Sequence, residues 1–148
     1  MGYSKYGKDR YKPAGDWVQT TYLTQVAGVS FRKPNVIAFA EAVRSAEMRG
    51  LMYGLKIVCE PNNQQDSNAI AIYGTAEVEG WFRKKMREWH IGYVPADLAE
   101  EITQNLINAG IRVGIELYQI VEGIGDYYEV QFFILAPPGY GVKKRLNH

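Results

Sequence analysis

Leu55-Lys56-Ile57-Val58-Cys59-Glu60-Pro61-Asn62-Asn63-Gln64-Gln65-Asp66-Ser67-Asn68-Ala69-Ile70-Ala71-Ile72-Tyr73 is the stretch on which the fold turns. Leu55, Ile57 and Cys59 alternate with Lys56, Val58 and Glu60, which marks a strand whose Cys59 faces the core as a small inert hydrophobe. Residues 69–73 read as the next strand, so the polar run between them is the tip of a β-hairpin. Two-residue tips are the common case, and a tip of this length has a ligand to meet or a strained geometry to hold. Asn and Asp side chains bond their own backbone and keep such loops in shape, which could fully occupy Asp66 and Asn68. A carboxylate held rigidly at the tip can also accept a hydrogen bond from a ligand hydroxyl, whereas it repels a phosphate. Asp66 could thus distinguish a free sugar hydroxyl at a strand end from a continuing phosphodiester, with nearby rings and basic groups holding the strand.

Working outward, residues 17–29 carry Thr20, Thr21, Tyr22, Leu23 and Val26 and predict a first strand ending at Gly28. Val36, Phe39, Ala40, Val43 and Ala46 recur at helical spacing, with Asn35 placed to cap that helix and Gly50 to end it. Residues 74–88 fit no neat pattern and read as an excursion, with a short helix through Phe82 and Met86, before the strand Ile91-Gly92-Tyr93-Val94. Pro95 opens a second helix with Leu98, Ile102 and Leu106 as its buried stripe, and Asn108-Ala109-Gly110 stops it. Ile115, Leu117 and Val121, then Tyr128, Val130, Phe132 and Ile134, predict a hairpin turning at residues 123–126, with bulk on both faces and a place at the centre of the sheet. The expected fold is mainly β with two helices: an OB-like, partly open barrel of six short strands. Residues 1–16 read as a flexible, Tyr-rich and basic tail, or as an arm that folds over a ligand. Residues 17–136 form the domain, with its excursion at 74–90, and residues 137–148 a basic tail.

At 148 residues, one domain with a real core is expected, and 11 Tyr with 3 Trp exceed what that core needs, so some rings should be exposed. A net charge of +1 demands no polyanionic partner, although Arg83-Lys84-Lys85 and Lys143-Lys144-Arg145 form local basic patches. The single cysteine excludes an intramolecular disulfide, and no apolar run suits a signal peptide or membrane span. A cytoplasmic, soluble protein that needs no membrane is therefore expected.

Catalytic chemistry finds little support. The histidines are His90 and His148 alone, too few with Cys59 for a zinc site, and His90 reads as a surface or half-buried structural residue. No nucleophile elbow or phosphate-cradling glycine loop is present. A metal-dependent nuclease would need Glu60, Asp66, Glu77 and Glu79 to converge, and their segments give no reason for that. Neither an enzyme nor a cofactor or metal site is expected.

Gly28-Val29-Ser30-Phe31-Arg32-Lys33, then Pro61-Asn62-Asn63, Asp66-Ser67-Asn68-Ala69-Ile70 and Ile91-Gly92-Tyr93-Val94-Pro95 with Leu98-Ala99, resemble the HIRAN domain over residues 20–135. That domain stands at the front of fork-remodelling helicases, and alone in small bacterial and phage proteins. The resemblance implies an OB-like barrel that binds the 3′ end of single-stranded DNA, with Asp66 on the terminal hydroxyl, Phe31 stacking on a base and Asn68 supporting the loop. Two positions depart from the DNA-end-binding form: Gln65 stands where an aromatic stacks, and Ser30 where a basic residue meets a phosphate, although Arg32 and Lys33 follow. The missing ring would forfeit roughly 1–3 kcal/mol. Trp81, Arg83, Lys84 and Lys85, with Phe82, Arg87 and Trp89, either compensate by gripping single-stranded nucleic acid or form a solvated helix packed on the barrel.

Three functions follow from these residues. The first is a non-enzymatic module for single-stranded DNA and its 3′ ends, in DNA repair or at the replication fork, acting alone or beside a separate helicase or nuclease. The second is a protein-interaction adaptor that kept the barrel and lost end recognition, docking through Trp81 and Trp89. The nuclease is third. Oligomeric state is not legible.

Overall fold

The computed structural model describes residues 2–142. The basic run Lys143-Lys144-Arg145 and His148 lie outside the described residues. Among the described residues the fold is mainly β, with two α-helices and eight strands where six were expected: β1 (Ser4–Tyr6), β2 (Val18–Gln19), β3 (Thr24–Gln25), α1 (Lys33–Arg49), β4 (Tyr53–Cys59), β5 (Ile70–Glu79), β6 (Lys84–Tyr93), α2 (Ala96–Asn105), β7 (Gly114–Glu122) and β8 (Tyr128–Ala136).

The strands form two antiparallel sheets, neither closed. One runs β1-β7-β8-β2 with β3 also on β8, and the other is β4-β5-β6. A single bridge joins them: Ala27 N–H donates to Tyr93 O at 2.8 Å and Tyr93 N–H to Ala27 O at 2.9 Å. Residues 24–27 thus stitch β8 to the end of β6, an open arrangement consistent with an OB-like fold. One buried cluster fills the space between, uniting Phe39 and Val43 of α1, Ile72 and Ile91 of the smaller sheet, and Ile120 and Phe132 of the larger.

The stripe read on α1 is the stripe that is buried: Val36, Phe39, Ala40, Val43 and Ala46. Gly50 ends it at φ 68°, a left-handed cap that costs glycine least. The start differs. The helix begins at Lys33, and Asn35 does not cap it; its Nδ2 donates to His90 O at 2.9 Å, fastening α1 to β6 instead. α2 follows Pro95 as expected and buries Ala99, Ile102 and then Leu106, with Leu98 half-buried.

Four further expectations are corrected. The single strand at residues 17–29 is broken into β2, β3 and the Ala27 bridge, because the Thr21 hydroxyl takes over a ladder bond, accepting Ile134 N–H at 3.0 Å, and Tyr22 swings out to 66 % exposure. Residues 74–88 contain no helix: β5 and β6 continue through them as one long hairpin. Cys59 is exposed near the end of β4, not in the core. Ser4–Tyr6, expected within a loose tail, pairs with β7, and Arg10 forms an ion pair with the buried Glu116. The Tyr6 hydroxyl donates to Glu122 at 2.6 Å, and burial together with that carboxylate pushes its pKa up.

Candidate nucleic-acid interface

The β4–β5 loop is braced from within. Asn63 Oδ1 accepts the N–H groups of Gln65 and Asp66 at 2.9 and 3.1 Å, while its Nδ2 donates to Glu60 Oε1 at 3.0 Å. Asp66 Oδ1 accepts Asn68 N–H at 2.9 Å, and Thr103 of α2 donates to Asn68 O at 3.3 Å. Half of the Asp66 carboxylate is thereby committed to the loop. Oδ2 accepts no hydrogen bond from the described residues.

Asp66 lines an open groove of about 370 Å³ together with Arg32, Asn63, Gln65, Tyr93 and Ala96. Arg32 arrives from the short turn Val29–Arg32, where Gly28 at φ 81° reverses the chain, and its guanidinium sits 5.6 Å from the Tyr93 ring centre. The Tyr93 hydroxyl donates to Glu60 at 3.0 Å, so one carboxylate anchors both the loop and the tyrosine across from it. Burial and Glu60 together raise the Tyr93 pKa, which keeps the phenol protonated at neutral pH.

From the groove, rings continue along the outer face of β4-β5-β6. His90 meets Tyr93 edge-on at 5.1 Å and stacks on Tyr73 at 4.7 Å, with Lys56 above Tyr73. His90 Nε2 donates to Gly92 O at 3.0 Å, and burial, reinforced by Arg32, pulls its pKa down. His90 is half-buried and stays uncharged at pH 7.

Of the expected site residues, Arg32, Gln65 and Asp66 meet in this groove. Asn68 stands behind Asp66, and Ser30, Phe31 and Lys33 occupy the adjoining turn and the first residue of α1, with Phe31 89 % exposed. Trp81, Arg83, Lys84 and Lys85 do not join them. They sit at the far tip of the β5–β6 hairpin, which the ten residues of β6, at about 3.3 Å each, place roughly 30 Å from Tyr93. Glu60 was weighed from sequence only as a nuclease carboxylate, and Asn63 and Tyr93 only as residues of the family motifs; none was expected to build the site. Asn63 carried a local signal, an Asn two residues before the backbone it must brace, whereas Tyr93 is brought to the loop only by tertiary pairing.

The model of the HIRAN domain matches residues 22–136. The chain belongs to the HIRAN domain family. No curated protein and no solved structure matches it significantly. HIRAN domains are non-catalytic and are generally associated with the ends of single-stranded DNA. Among the described residues no three of His, Cys, Asp and Glu gather into a set able to hold a metal ion. Glu77 accepts Met52 N–H and Glu79 pairs with Arg49 at the far end of β5, while Glu60 and Asp66 serve the loop before its start, so the four carboxylates do not converge. No helix among the described residues is long and apolar enough to cross a membrane.

Proposed function

We propose that this HIRAN domain holds the 3′-hydroxyl end of single-stranded DNA in the groove between the Asp66 loop and the Arg32 turn. The observation that carries this reading is the Asp66 carboxylate, fixed through Oδ1 with Oδ2 uncommitted, lining the same groove as a guanidinium that makes no ion pair with the described residues. A 3′-hydroxyl donates to Oδ2 and a 3′-phosphate is repelled by it, while Arg32 meets the preceding phosphate and Phe31 offers its exposed ring to a base. Beside a separate helicase or nuclease, such a module would present strand ends in DNA repair or at a replication fork, in the cytoplasm.

Titrating labelled single strands ending in a 3′-hydroxyl or a 3′-phosphate tests it by fluorescence anisotropy. The hydroxyl strand is expected to bind tighter, and Asp66→Ala to reduce that preference by tenfold or more, since a hydrogen bond to a charged group contributes about 1.5–3 kcal/mol. Equal affinity of the natural chain for both ends, or none at micromolar protein, would sink the reading.

Gln65 lines the groove without a ring. Gln65→Tyr is therefore expected to tighten binding of either strand by the roughly 1–3 kcal/mol that a stacked base contributes. Unchanged affinity in the same titration would show that bases do not reach this position.

A further inference from the structure

The outer half of the β5–β6 hairpin is an arm that sorts its charges by position. Its acids are tied to the body: Glu77 Oε1 accepts Met52 N–H at 2.8 Å, Glu79 pairs with Arg49 at 2.8 Å, and Glu88 pairs with Lys56 at 2.9 Å. Its outermost cations are not so tied. Arg83, Lys84 and Lys85 form no ion pair with the described residues. Between acids and bases stand Trp81 and Phe82, 91 % and 92 % exposed, touching each other edge-to-face at 6.4 Å. Among the described residues neither ring packs against the core.

Successive strand residues point to opposite faces, so Lys84 and Lys85 flank the arm on both sides. Lysines are depleted from the cores of protein–protein interfaces, whereas ammonium groups around exposed rings are what a nucleic-acid strand meets: cations for its phosphates and π faces for its bases. On a chain of net charge +1, this separation gives one extremity a local positive field that the whole molecule lacks.

We propose that the arm is a second nucleic-acid contact, separate from the end-binding groove, in which Arg83, Lys84 and Lys85 hold phosphates and Trp81 and Phe82 stack on bases. The domain then grips one DNA at two points about 30 Å apart, the ten-residue length of β6. The choice of DNA as ligand rests on the function proposed above, but the two sites fail separately.

The test is an anisotropy titration of the full chain with 3′-hydroxyl single strands from about 4 to about 30 nucleotides long, a range spanning one barrel's site size and beyond. Affinity is expected to step up by roughly tenfold or more once a strand reaches both sites, because the second contact becomes intramolecular. Lys84→Glu/Lys85→Glu and Trp81→Ala/Phe82→Ala should each remove the step and leave short strands and the 3′-hydroxyl preference unchanged. The charge reversal should also flatten the dependence of log affinity on log salt by about 0.7 for each phosphate that is no longer neutralised. Asp66→Ala should do the opposite, removing the end preference and keeping the step. A step that persists in both arm variants overturns the proposal, as does an arm that binds phosphatidylserine-rich vesicles while DNA affinity is unaffected by its substitution. Loss of the end preference alone, with an arm-dependent step intact, overturns only the groove reading. Because the substituted arm side chains are solvent-exposed, circular dichroism of each arm variant should match that of the parent.

Discussion

Phe39→Ala is expected to destabilise the fold by about 3–5 kcal/mol, the range for truncating a buried phenylalanine, a large share of a typical domain's stability. Phe39 is fully buried on α1, and its ring lies over β5 and β6, against Trp89 with centres 6.2 Å apart. The socket exists because Gly74 has no side chain: a Cβ there would lie 2.4 Å from two of the ring carbons. Phe39 and Gly74 are therefore one packing unit. Gly74→Ala alone should cost roughly 1–3 kcal/mol through overpacking, yet in the Phe39→Ala background it should cost less, because the added methyl enters the vacated space. Urea unfolding of the parent, both single variants and the double variant measures this. A Phe39→Ala loss below about 1 kcal/mol, or strict additivity of the pair, would show that the ring does not join α1 to the smaller sheet.

The same packing explains what could be read from sequence. α1 was legible because its buried residues follow the helical period, and β7 and β8 because both their faces are loaded with apolar side chains. The arm was not, for the reason that makes it interesting. A strand segment with no core beneath it needs no apolar alternation, so Lys84 to Glu88 are all exposed and carry no period. Its signal lay in charge: Glu79 stands directly across from Lys84, and Glu77 and Glu79 lie on one side of Gly80 with the basic run on the other. The strand expected over residues 17–29 failed differently, since threonine hydroxyls that compete for backbone partners look like good strand formers in composition. At the site, the Asp66 loop was legible because its braces are local in sequence. The placement of Arg32 over Tyr93 depends on pairing across more than sixty residues, about which neither neighbourhood carries a pattern.

That pairing sets the second large effect. Gly92→Ala is expected to cost at least about 3 kcal/mol and to impair the groove as well. Gly92 lies under the bridge that joins the two sheets: a Cβ on it would sit 2.3 Å from Ala27 O and 2.6 Å from a Val26 methyl. The first of these is backbone, and it is the carbonyl that accepts Tyr93 N–H, so relief requires residues 26–27 to move away from β6. Ala27 and Tyr93 both line the groove, and Arg32 rests on the Tyr93 ring, so this movement widens the groove between the Arg32 turn and the Asp66 loop. Thermal unfolding and short-strand titration together separate the two consequences. Gly92→Ala should lower the melting temperature and, at a temperature where the variant is still folded, weaken 3′-hydroxyl strands by about tenfold or more, as a deficit of about 1.4 kcal/mol from misplaced groups requires. Asp66→Asn, which keeps an Oδ1 acceptor for Asn68 N–H, should weaken the same strands with little change in melting temperature. If Gly92→Ala binds short strands as tightly as the parent once folded, the sheet-joining bridge holds the fold together without shaping the groove.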